Sequence, residues 1–458
     1  MTSINLQVIR ELAENGDFGL IASRFSDSHP ATIAEVLGNL DPEEALDVLR
    51  HLERELRADV FTHMDEELQV EVIDRMGRVE VARLMTDMPP DDRADLYKNL
   101  PEERREEILP AMAQAEREDI RRLTAYAEGT AGAVMTSDYA ALRPDLTAYQ
   151  AIERLREIAP DRETIYSAYV VDENRRLLGY VSLKDLIVAR RNLTVREIMR
   201  HDAIVAGVDD DQEDAARKIQ KYDLIALPVV DSSDALVGII THDDALDIIT
   251  QEHTEDMEKF MAIAGSHEAS SYMKTGPMAH FRNRVFWVSG LAVLGLISGF
   301  VIQSFEGLLL QFAILAAFIP MLTDTGGNTG SQAATLVVRA LALKEVSHRD
   351  IGRILWKELK VSVLLGLLLA VLAYARVIFL GAGASIPDGY TLHRIGAAIG
   401  IALGLQVVSS TLAGAVLPLG ASRLKLDPAV VASPALTSVV DITGVVIYFG
   451  VVKMMLGL

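Results

Sequence analysis

Along the first 130 residues, apolar positions recur three and four apart, as in Val36, Leu37 and Leu40 or Val70, Ile73 and Met76, the spacing that lines one face of a helix. Between these runs stand LDPEE from Leu40, MDEE from Met64 and MPPDD from Met88, 24 residues apart, with LPEER following at Leu100. Proline and acids there predict successive helix starts, where the macrodipole favours negative charge. The segment is therefore expected to be a small superhelix of helix pairs. From about residue 132 to 249 the pattern changes to short β runs alternating with helices, and it repeats itself. YVVDENRRLLGYVSLKDLI aligns with PVVDSSDALVGIITHDDAL at a constant offset of 59, pairing Asp172 with Asp231, Gly179 with Gly238, Ser182 with Thr241 and Asp185 with Asp244. Two copies of one α/β module follow from this. Residues 245 to about 264 contain neither proline nor glycine and predict one connecting helix.

The remaining pattern is that of a bilayer protein. Five apolar stretches are read as spans: residues 285–305, a stretch opening at Leu308, one anchored by 361–375, one over 395–420, and a last helix from about 429 to 455. Arg282 and Arg284 precede the first span; Arg339, Lys344, Arg349, Arg353, Lys357 and Lys360 surround the connection from second to third; Arg423 and Lys425 lie between fourth and fifth. The positive-inside rule puts these loops in the cytosol, with the C-terminus outside. The second span carries FIPMLTDTGGNTGSQAATLVVRALA, with Pro320, three glycines and a polar string, which predicts a helix that breaks or opens there. Gly396, Gly400 and Gly404, four apart, make a smooth strip for close helix packing.

Charge divides the chain in the same place. Of 65 acidic residues 57 precede Ser271, with 30 of the 44 lysines and arginines, so the first 270 residues carry about −27 and the rest about +6. An acidic soluble body and a mildly basic membrane domain result, and no nucleic-acid partner is expected. Without cysteine and with only ten scattered histidines, oxygen ligands for a hard cation are the better match. No charged n-region precedes an apolar core at the N-terminus, so the acidic half is expected to stay in the cytosol. A GxxxxGK[ST] loop, a nucleophile elbow and a histidine metal cluster are all missing from the sequence, which argues against an enzyme.

Asp441 stands alone in PALTSVVDITGVVIYFGVV, where a carboxylate at mid-depth costs roughly 2.5 to 3.5 kcal/mol. Either it is protonated and hydrogen-bonded between helices, or it faces a wet pathway and meets a cation. On the connecting helix Glu252, Glu255 and Asp256 share a face, with Asp244 and Asp247 up the same side. Solvation can tolerate such repulsion, and a bridging divalent cation would reverse it. Most acids of the first 130 residues read as a solvated face, the cluster Asp91, Asp92 and Asp95 excepted.

Each α/β module resembles a CBS domain, a family whose tandem copies pair into a regulatory disk and bind adenosine nucleotides between modules. Ser182, Asp185, Thr241 and Asp244 fit its ribose-binding pattern, although the same spacing is a helix capping box. The order of parts, and above all the PMLTDTGGNTGSQAATLVVRAL block and the ending DPAVVASPALTSVVDITGVVIYF, resembles the MgtE magnesium channels over nearly the whole chain. The resemblance implies a multi-domain membrane protein: an all-α superhelical N-terminal domain over 1–130, an α/β tandem CBS pair over 131–249 (131–191 and 192–249), a long connecting or plug helix and linker over 250–281, and an α-helical transmembrane domain of five spans over 282–458. It further implies a homodimer in the plasma (inner) membrane with a pore along the dimer axis. Asp441 would meet Mg²⁺ there, with Asn328 and Gln332 near the pore. Asp427 would meet Glu255 and Asp256 of the plug through a cation. Glu213, Asp223, Asp244, Asp247 and Glu252 match sensor positions, and Asp91 or Asp95 supplies the facing domain. Mg²⁺ is thus expected as permeant and regulatory ion, and ATP at the CBS modules. Asp324 and Ser331 depart from the family pattern near the pore. Two copies of Asp441 facing one hydrated ion suit Mg²⁺, which sheds inner water reluctantly. A secondary transporter of Mg²⁺, Co²⁺ or Mn²⁺ coupled to another ion is the alternative; the spans show no internal repeat to favour it.

Overall fold

In the computed structural model, the described residues are 6–25, 27–263, 275–380, 386–424, 426–428 and 434–458. They form two compact units, Met1–Glu252 and His253–Leu458.

The first unit begins with short helices, in which each helix packs against the next but one. Pro42–His51, Glu66–Arg75 and Pro90–Asn99 start where the 24-residue repeat predicts, and Arg54–Thr62 and Arg78–Asp87 fall between them, so one repeat is one helix pair. The buried stripe of each helix meets the others in one core that includes Ile33, Leu37, Leu49, Phe61, Ile73 and Met85, each worth roughly 1.5–3 kcal/mol when removed from water. Asp41 and Glu44 close a capping box. Arg93 is buried and donates to the carbonyls of Met85 at 2.6 Å and Met88 at 2.8 Å. It thereby ties the helix Pro90–Asn99 to the end of its predecessor.

Two three-stranded sheets follow, with identical topology. In the first, β1 (Tyr139–Leu142) pairs parallel with β2 (Thr164–Val171), which pairs antiparallel with β3 (Leu177–Ser182); β4 (Ala206–Gly207), β5 (Ala226–Val230) and β6 (Leu236–Thr241) repeat the order. The hydroxyls of Tyr139 and Tyr169 cross between copies to the carbonyls of Leu236 and Ala226, at 2.9 and 3.0 Å. Gly179 and Gly238, paired by the repeat, each let another segment cross closely. A Cβ would stand 2.1 Å from the carbonyl oxygen of Arg200 at the first, and 2.6 Å from Met135 Sδ at the second. The connecting helix runs over His242–Phe260, ending four residues before the sequence pattern suggests.

Among the described residues of the second unit, four helices are long and apolar enough to cross a membrane, among them Pro277–Ser304 and the last helix, Pro434–Leu456. A fifth of membrane length, Ile319–Ala342, is polar along one side. It corrects one expectation. The glycine-rich string does not open the helix; it is helical throughout, and the interruption lies before it, where the short helix Glu306–Gln311 gives way at Phe312 to the 3₁₀ segment Ala313–Phe318. Pro320 falls in the first turn, where it costs little. The glycines serve close approach instead: a Cβ at Gly414 would stand 2.1 Å from the carbonyl oxygen of Gly330, and a Cβ at Gly327 would stand 3.2 Å from Thr437 Cγ2. The strip Gly400 and Gly404 likewise packs on Ala370 and Gly366 of Ile351–Leu380. Residues 429–433, assigned to the last span by sequence, lie outside the described residues.

Candidate functional site

The helix Ile319–Ala342 has two faces. Gly326, Gly327, Gly330, Ala333 and Ala334 are buried against Leu392–Arg423 and Pro434–Leu456, whereas Asp324, Asn328 and Gln332, four apart, stand exposed in the single chain. A polar stripe at membrane depth is costly against lipid. Asp441 is partly buried and lies one helical turn beyond Thr437, which packs at Gly327 beside Asn328. The backbone therefore brings Asp441 to the level of the Asp324–Asn328 turn. Asp324, a departure in sequence, joins the same stripe.

At the Arg423 end of this helix group, the expected meeting of Asp427 with Glu255 and Asp256 is present but already holds a cation that sequence reasoning missed. Lys259 Nζ lies 2.5 Å from Glu255 and 3.3 Å from Asp427. Burial opposes the Lys259 charge, yet these carboxylates outweigh it and raise its pKa. Burial, with Asp427 nearby, pushes the Asp256 carboxyl above the usual range. Asp256 and Asp427 both line a cavity of about 300 Å³ with Val338, Ala342 and Ser422. One residue on from Lys259, Phe260 packs on the buried cluster of Ala334, Leu436 and Val440.

In the first unit, a second acidic cluster forms at the start of helix Pro90–Asn99. Asp91 Oδ1 is buried without a hydrogen-bond partner among the described residues, and burial, reinforced by Asp92, Asp244 and Glu163, raises its pKa well above the ordinary value. Burial and Asp244 push Asp92 up to about 7. Glu163 and Asp244 are raised as well, each chiefly by burial. Asp95 stands at the edge of the group: its charge adds to the push on Asp92 and burial raises its own carboxyl, but its side chain is 55% exposed and pairs with Lys98 at 2.8 Å. Asp92 and Glu163 are the better-placed members. Glu163 sits just before β2 and carried no sequence signal. Among the described residues no three His, Asp or Glu side chains converge at metal-ligand spacing.

The other predicted residues are spread more widely. Glu213 pairs with Arg217 on its own helix, Asp223 ends that helix in the left-handed conformation at φ 51°, and Asp247 is exposed. Glu252 accepts from Gln212 Nε2 at 2.7 Å. Ser182 Oγ accepts from Asp185 N at 3.0 Å, and Thr241 Oγ1 donates to Asp244 at 2.5 Å, so both Ser/Thr-x-x-Asp positions perform helix-start roles. Asp185 also faces Arg200 at 3.7 Å.

The chain matches known families over most of its length. The MgtE model, described as a divalent cation transporter, matches residues 319–451; the MgtE intracellular N domain matches 28–129; the CBS domain matches 131–192 and 195–251. A magnesium transporter MgtE of Thermus thermophilus is 41% identical over 334 residues, covering 73% of this chain and 72% of the relative. One of Bacillus subtilis is 34% identical over 330 residues, covering 72% and 70%. Among solved structures, the soluble part of a magnesium transporter aligns at 30% identity with a TM-score of 0.51, over 54% of this chain and 97% of that one. The cytosolic domain of the Mg²⁺ channel MgtE in complex with ATP aligns at 33% identity and TM-score 0.51, over 53% of this chain and all of that one.

Proposed function

Because the chain belongs to the MgtE family of divalent cation transporters, we propose that it takes up Mg²⁺ as a homodimeric channel closed by Mg²⁺ on its cytosolic side. The observation that carries this reading is the exposed stripe of Asp324, Asn328 and Gln332 with Asp441 at its level. A second copy laid against that stripe encloses a polar passage and removes it from lipid. The hydrated ion then meets two Asp441 carboxylates, which offset its partial dehydration without stripping its inner waters. The basic loops support an orientation with the acidic unit in the cytosol.

Closure follows from repulsion. The Asp91, Asp92, Glu163 and Asp244 cluster and the Glu255, Asp256 and Asp427 cluster oppose their own compact arrangement while Mg²⁺ is scarce. Mg²⁺ favours the compact form by binding it better, and several such sites acting together give a steep response. The CBS pair adds a nucleotide input, with ATP at the Ser182 and Thr241 edges; the ATP-bound relative supports this. The test is Mg²⁺ entry into liposomes holding the purified protein with no opposing ion gradient. Flux is expected under those conditions, falling as Mg²⁺ rises on the cytosolic face. Flux that requires a gradient of a second ion would overturn the channel reading in favour of coupled transport.

A further inference from the structure

Gln406 lies in the middle of the helix Leu392–Arg423 and is completely buried. Its Nε2 donates to the Val440 carbonyl at 3.1 Å, the carbonyl of the peptide unit that leads into Asp441. Two neighbouring helices leave room for this amide by using glycine. A Cβ at Gly326 would stand 2.5 Å from Gln406 Nε2, and one at Gly444 would stand 2.3 Å from it. Ser410 Oγ donates back to the Gln406 carbonyl at 2.7 Å. The amide oxygen, Gln406 Oε1, is buried without a hydrogen-bond partner among the described residues.

That orphaned acceptor is informative. An unsatisfied buried carbonyl costs stability, and an apolar side chain of similar volume would avoid the cost. Stability alone therefore does not account for an amide at this place. What the amide supplies is one directed hydrogen bond onto the backbone beside Asp441. We infer that Gln406 is a positioning residue for Asp441: its donated hydrogen bond to Val440, admitted by Gly326 and Gly444, fixes the rotation of the Asp441 turn toward the ion pathway. This inference rests on the proposed role of Asp441 as the pore carboxylate. Val440 itself is fully buried while Asp441 is partly exposed, so a small rotation of this turn exchanges a wet carboxylate for a dry one.

The test uses the full-length protein in liposomes, with thermal unfolding in detergent as the check on folding. Gln406→Met is expected to unfold at the parent temperature or above it, yet to pass Mg²⁺ roughly two- to tenfold more slowly, the range of one hydrogen bond, and to shift the Mg²⁺/Mn²⁺ flux ratio. Gln406→Glu, whose acid form restores an O–H donor, is expected to regain flux relative to the parent as pH falls, whereas Gln406→Met is not. Parent-like flux and ion preference in Gln406→Met would overturn the inference. In Gln406→Ala, adding Gly444→Ala refills the vacated space, so stability should recover while flux stays low; flux that recovers with stability would make Gln406 a space-filler and overturn its positioning role. Asp441→Ala separates the two claims. Its loss of flux supports the pore assignment, and normal flux in Asp441→Ala would overturn that assignment and the inference with it, whatever Gln406→Met does.

Discussion

Neutralising Asp92 should loosen the dependence of the first unit on Mg²⁺ and on pH together. The fold raises this carboxyl from its ordinary value near 3.8 to about 7, first through burial and then through Asp244. That rise corresponds to about 4 kcal/mol of charge held against its preference, shared between Asp92 and the carboxylates that titrate with it. Because the pKa is raised on folding, the associated stability is complete below the exposed-state value near 4 and is lost as pH rises through about 7. Going from pH 6 to pH 8 without Mg²⁺ should therefore cost the helix Pro90–Asn99 about 1 kcal/mol, roughly a fivefold rise in its opening constant. Amide hydrogen exchange of this helix in the full-length protein measures that opening. The parent should lose protection between pH 6 and 8 and recover it with Mg²⁺. Asp92→Asn should be protected at both pH values without Mg²⁺ and gain little when Mg²⁺ is added. Equal responses to pH and Mg²⁺ in the parent and Asp92→Asn would refute the role of repulsion here.

Lys259→Gln removes the ammonium between Glu255 and Asp427, so without Mg²⁺ the segment 244–263 should be cut faster by protease. High Mg²⁺ should restore protection; cleavage at the parent rate without Mg²⁺ would count against the tether. Gly414→Ala places a methyl group 2.1 Å from the Gly330 carbonyl oxygen and should destabilise the membrane unit by about 1–3 kcal/mol. Its unfolding temperature in detergent should fall, and an unchanged value would mean the two helices can part without cost.

What the sequence made legible was local or repeated. Acids and prolines at 24-residue spacing announced the helix starts because capping and the macrodipole act within one turn. The offset of 59 announced two copies of one sheet, down to the paired glycines at their crossings. The polar string of Ile319–Ala342 was misread as a break because glycine's helix cost was counted without the helix contacts that repay it; Gly330 against Gly414 decides the matter and lies far apart in sequence. Glu163 joins the acidic cluster through the sheet, with no pattern around it. Lys259 did leave a signal: four residues after Glu255, it is the favourable order for an i,i+4 pair. Gln406, a lone amide in an apolar span, left another.

The most direct test of the ion pathway compares the parent with Asp441→Asn, which keeps the shape of the side chain and removes its charge. Both proteins are reconstituted in equal amounts, and Mg²⁺ entry is followed with an internal indicator at low Mg²⁺ on the cytosolic face. On the proposed pathway the hydrated ion meets the Asp441 charge at the level of Asp324 and Asn328, so Asp441→Asn should lose most of the flux while the folded protein remains intact. Parent-like Mg²⁺ entry through Asp441→Asn would contradict the account.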